Sequence, residues 1–124
     1  MKIFETDKMP VSNGHYSQCI EHNGILYLSG QLPIVPENRH IPDGIEEQAR
    51  LVFKNVETVL REANSGMDKV LKMRVYVTDI ELWDTVNDIY SEVFGAHKPT
   101  RCIIPTRDLH FGCLIEVEAT AISN

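Results

Sequence analysis

Between Asp43 and Gly95 the hydrophobic period of the chain changes twice, and few architectures accommodate that. Ile45, Ala49, Val52, Phe53, Val56, Val59, Leu60 and Ala63 recur at helical spacing to about Asn64. Asp43-Gly44-Ile45-Glu46 reads as a capping box at the start of this helix, and Gly66 as its stop. From Val70 to Thr78 the period shortens to two. Leu71, Met73, Val75 and Val77 share one side, and Lys72, Arg74, Tyr76 and Thr78 the other. Thr78-Asp79-Ile80-Glu81 then caps a second helix with Leu82, Val86, Ile89, Tyr90 and Val93 on its stripe. It ends at Gly95, and Pro99 blocks continuation. Each element must hide one apolar face, which predicts an α+β fold: a sheet with two helices packed on one side.

The flanking segments supply more strands. Met1–Glu5 reads as a short edge strand, followed by a loop over residues 7–14. Tyr16–Ile20 and Ile25–Ser29 form a hairpin whose tight turn is signalled by Asn23-Gly24. Gly30 to Gly44 carries three prolines and two glycines and reads as loop. Two strands close the chain, about Arg101–Thr106 and Cys113–Ile122. The order is β-β-α-β-α-β-β with the N-terminal strand in front, within one domain spanning residues 1–124.

If the apolar sides of these strands meet the helices, Lys72, Arg74 and Tyr76 share the opposite face with Glu116, Glu118 and Thr120. Opposite charges on neighbouring strands pair favourably there. Such a face is either open to solvent or the wall of a polar subunit interface, and patterning does not separate the two.

Composition removes several function classes. The net charge of −6 argues against a broad nucleic-acid footprint and against docking on anionic membranes. It leaves room for a small anionic ligand, because one local arginine outweighs a distant average. The opening MKIFETDKMP has no signal-like apolar core, and no stretch approaches membrane-spanning length. Cys19, Cys102 and Cys113 form no CxxC pair, which suits reduced thiols and a cytoplasmic setting. The five histidines have no compact ligand spacing, and phosphate-loop, dinucleotide and serine-elbow motifs are absent, so no metal or organic cofactor is expected. Cys113 reads as core filler.

What remains is Arg101, in an apolar run, and Glu116, in the alternating Leu114–Ala119 segment. Guanidinium grips a carboxylate bidentately, and a partly desolvated carboxylate moves protons. A solvated arginine and a strand with one wet face account for the same residues.

Five fragments, in order, resemble the RidA/YjgF family of reactive-intermediate deaminases, also known as endoribonuclease L-PSP. They are Gly14-His15-Tyr16-Ser17-Gln18, Ser29-Gly30-Gln31-Leu32-Pro33, Val86-Asn87-Asp88-Ile89-Tyr90, Lys98-Pro99-Thr100-Arg101 and Ile115-Glu116-Val117-Glu118. The resemblance implies a chorismate-mutase-like mixed sheet assembled as a homotrimer with clefts between subunits. It implies hydrolysis of 2-enamine and 2-imine acids, such as 2-aminoacrylate and 2-iminopropanoate or 2-iminobutanoate, to 2-keto acids and ammonia, without a cofactor. Arg101 would hold the substrate carboxylate and Glu116 would position water. Tyr16, Ser29, Asn87 and Ile103 would line the pocket.

Three positions depart from the family pattern. Ile103 stands where many members have cysteine, and alternation turns Cys102 to the other face. His15 replaces a proline, and Asp108-Leu109-His110-Phe111 replaces an Arg-Leu-Pro-Lys stretch. The competing functions are a regulator that senses a small carboxylate, a ribonuclease acting on single-stranded RNA, and a structural subunit with a vestigial pocket.

Overall fold

The spacing of apolar residues along the middle of the chain is realised in the computed structural model, which describes residues 1–10 and 14–124. The strands are β1 (Lys2–Phe4), β2 (Cys19–His22), β3 (Ile25–Leu28), β4 (Val70–Val77), β5 (Thr100–Pro105) and β6 (Ile115–Ile122). The helices are α1 (Ile45–Glu62) and α2 (Trp83–Phe94). The N-terminal strand and the predicted element order both hold. Val11, Ser12 and Asn13, part of the expected loop, lie outside the described residues.

The strands form one sheet in the order β1-β2-β3-β6-β4-β5. β4 and β5 run parallel, a pairing that needs a crossover, and α2 provides it. The other neighbours are antiparallel. Asn23 and Gly24, at φ 52 and 81, make the tight β2–β3 turn.

Both helices cover one face. Val52, Phe53, Val56 and Leu60 of α1 and Val86 and Ile89 of α2 share a core with Met73, Val75, Ile115 and Val117 of the sheet. Phe53 is fully buried and meets Tyr90 edge-on at 5.7 Å. Truncating such a ring to alanine costs about 3–5 kcal/mol.

Several local details differ from the sequence reading. Gly44, at φ 80, precedes α1 without any side-chain cap, so the Asp43 capping box does not form. The helix is stopped by Asn64 in the left-handed region (φ 61), with the Ser65 N–H donating to Leu60 O at 2.8 Å; Gly66 is extended. Asp79 rather than Thr78 caps the next turn, its carboxylate accepting from Glu81 N–H at 2.9 Å. On α2, Phe94 and not Val93 is buried.

Leu71 is exposed and Val70 takes its place in the core, because the ladder to β6 shifts register between Val70 and Lys72. Two side chains satisfy the carbonyls at this bulge. His97 Nε2 donates to Val70 O at 2.7 Å and Thr100 Oγ1 to Leu71 O at 3.0 Å.

The 30–44 loop is tied down by two buried amides of α1. Asn55 Nδ2 donates to Leu32 O and Ile34 O, each at 3.0 Å, and Gln48 Nε2 donates to Pro42 O at 2.9 Å. Gln31 joins the edge of the ladder by exchanging backbone hydrogen bonds with Val117. This pins Gly30 beside β6.

No helix is long and apolar enough to cross a membrane among the described residues.

Candidate active site

Arg101 sits on β5 opposite Met73, on the helix-covered face. Trp83, Asn87 and Tyr90 fall at i, i+4 and i+7 on α2, so one stripe of that helix meets it. Arg101 Nη1 donates to Asn87 Oδ1 at 2.9 Å. The guanidinium carbon lies 4.8 Å from the Tyr90 ring centroid and 5.5 Å from that of Trp83, within cation–π range. Among the described residues no carboxylate forms a salt bridge with Arg101. The adjoining cleft, about 420 Å³, also includes Ser91, His97 and Lys98. Arg101 therefore offers aligned donors and positive charge to an incoming anion.

The Tyr90 hydroxyl is buried without a hydrogen-bond partner. Burial pushes its pKa up to about 12, with the Arg101 charge acting in the opposite direction. Ile103 faces the same way as Arg101 and is partly buried against the core, while the ladder puts Cys102 opposite Arg74 on the other face.

Glu116 is paired with Tyr76, on the face without helices. Its carboxylate lies against Gly30, where an added methyl would collide with Oε2. The Glu116 pKa is raised, first by burial and then by Glu118, with His110 opposing. A carboxylate so placed accepts protons more readily than one in water. Neighbouring charges follow the predicted cross-strand pattern. Glu118 Oε1 accepts from Tyr76 Oη at 3.1 Å and Arg74 Nη1 at 3.4 Å.

Tyr16 is half-exposed and lines a second cleft with Gly30, His110 and Phe111. The Ser29 hydroxyl donates to Ser17 O at 2.6 Å, tying two strand ends together.

Thus the structure joins Arg101 to Asn87 and, separately, brings Tyr16, Gly30 and Glu116 around adjoining spaces. Within one chain the sheet stands between Arg101 and Glu116. The sequence reading missed Trp83 and Tyr90 as supports for Arg101, although their spacing with Asn87 was visible. It also missed Gly30 as the surface against which Glu116 rests.

Residues 6–123 match the family described as Endoribonuclease L-PSP. The chain belongs to that family. A RutC family protein of Aquifex aeolicus is 36% identical over 124 residues, covering 98% of this chain and 99% of the relative. TdcF of Escherichia coli K12, provisionally named a reactive intermediate deaminase, is 32% identical over 98% of this chain and 96% of its own length. The crystal structure of E. coli TdcF with bound serine superposes with a TM-score of 0.94 at 31% identity, covering 100% of both chains. RidA from an Antarctic Psychrobacter gives 0.94 at 28% identity, covering 98% of this chain and 99% of that one. The mixed six-stranded sheet with two helices is the endoribonuclease L-PSP fold, as expected from the five fragments.

Proposed function

We propose that this chain hydrolyses 2-enamine and 2-imine acids, such as 2-iminopropanoate and 2-iminobutanoate, to 2-keto acids and ammonia. The observation that carries the reading is Arg101: oriented by Asn87, stacked on Tyr90, and without a carboxylate partner among the described residues. An arginine so held binds a substrate carboxylate through two parallel hydrogen bonds.

In this reading the enamine is protonated at its β-carbon and becomes an imine, whose C=N carbon is electrophilic. Glu116 takes a proton from water as the oxygen attacks that carbon. The resulting carbinolamine receives that proton on nitrogen; its hydroxyl then returns a proton to Glu116 as the C–N bond breaks, so ammonia leaves and the carbonyl forms. The raised pKa of Glu116 suits both proton steps. Asn87, Ile103, Tyr16 and Ser29 line or support the site.

Arg101 and Glu116 lie on opposite faces of one sheet, so a shared site requires a second copy of the chain. A homotrimer with sites between subunits meets that requirement, and the helix-free face, with Arg74, Tyr76 and Glu118, is the surface for it.

The test is a coupled assay. A serine or threonine dehydratase generates the imine while semicarbazide traps it, and this protein competes to release keto acid. Release that disappears with Arg101→Ala and Glu116→Ala supports the reading; no release from folded protein rejects it.

A second reading is a non-catalytic sensor of small carboxylates, favoured by the relative whose structure holds serine. Reversible binding without turnover would select it. A ribonuclease is disfavoured by the net charge of −6.

A further inference from the structure

Beside Glu116 lies a cleft of about 270 Å³ whose walls include Tyr16, Leu32, Ile34 and Phe111. Gly30 lines this cleft and also the space in front of Glu116, so the two meet there. Its amides are already engaged: Gln18 donates to Thr6 O and Pro10 O, and Gln31 to Ser29 O. Arg39 and His110 also line the cleft, Arg39 at its solvent-exposed rim and His110 stacked edge-on against Phe111 at 3.9 Å. Phe111 itself is 57% exposed at φ 59, a backbone region that bulky L side chains rarely occupy. Beyond its contact with His110, this large ring faces solvent rather than the core.

We propose that this cleft is the side-chain subsite, and that the preferred substrates are 2-imino acids with branched aliphatic or aromatic side chains. The proposal rests on the deaminase reading and assigns its substrate class. A methyl or ethyl group would leave water against Leu32, Ile34 and Phe111. An isobutyl or benzyl group displaces that water and gains contact with Leu32, Ile34 and Phe111. Each methylene matched to an apolar pocket changes kcat/KM by roughly tenfold or more.

The experiment generates imines from alanine, leucine, phenylalanine and aspartate with amino acid oxidases, in the presence of semicarbazide, and compares kcat/KM. The leucine and phenylalanine imines should exceed the alanine imine by at least about tenfold. Phe111→Gly relieves the left-handed backbone and should fold, and it should bring that ratio down towards one. Equal rates, a preference for the alanine or aspartate imine, or an unchanged ratio in Phe111→Gly overturns the assignment. If no imine is hydrolysed, the deaminase reading falls instead. Calorimetric titration then decides the subsite: phenylpyruvate binding tighter than pyruvate upholds it, and equal or absent binding overturns it.

Discussion

The Glu116 carboxylate rests against the bare Cα of Gly30. Gly30 is held there by the backbone exchange between Gln31 and Val117, two residues whose positions are set by different ends of the chain. The side chain that would move protons is therefore placed by a loop 86 residues away in sequence.

Gly30→Ala should cost about a hundredfold in kcat, since a displacement of roughly 1 Å at the reacting group has that effect. The fold should survive, because the residue is exposed and its backbone needs no left-handed conformation. Steady-state kinetics beside a thermal melt checks this; unchanged kcat would show that the contact with Gly30 is incidental.

Arg101→Lys should raise KM more than it lowers kcat. It keeps the charge but loses the planar fork and the bond to Asn87. Losing a hydrogen bond to a charged group is worth about 1.5–3 kcal/mol, or roughly 10–150-fold. A lysine variant with wild-type KM would mean that Arg101 does not bind the carboxylate bidentately.

Tyr90→Phe should leave stability unchanged or raise it by up to about 1–3 kcal/mol, because it removes a buried hydroxyl that has no partner. The ring beneath Arg101 stays in place, so KM should hold. Tyr90→Ala should lose both packing and guanidinium orientation. Denaturant melts and KM values for the two variants separate these effects.

If Glu116 is the base, the acid limb of kcat/KM should lie above the ordinary glutamate value of 4.5. The sign follows from the causes: burial and Glu118 disfavour the carboxylate, and activity falls as pH drops and Glu116 takes up a proton. Glu118→Gln should move the limb down by removing repulsion, and His110→Ala should move it up. A limb that ignores both substitutions would assign it to another group.

The helices and the one-faced strands were legible because their periodicities come from near neighbours in sequence. Val52, Phe53 and Val56 recur on α1 wherever the helix is placed. Local details failed where sterics or register overrode the pattern. Asn64 reached the left-handed stop before Gly66 did, and the bulge after Val70 turned Leu71 outward. Arg101 and Glu116 were found as isolated signals, since each is a charge within an apolar setting. Their relation was not legible, because Thr100–Pro105 carries apolar residues on both of its faces.

By itself the sequence determined that one apolar face would be covered by two helices, and it singled out a guanidinium and a carboxylate as candidates for the chemistry. Only the tertiary structure decided which sides they take. The order β6-β4-β5 and its register turn Arg101 towards Trp83, Asn87 and Tyr90, and Glu116 towards Gly30. Strand pairing depends on contacts far apart in sequence, and a shift of one residue exchanges the two faces of a strand.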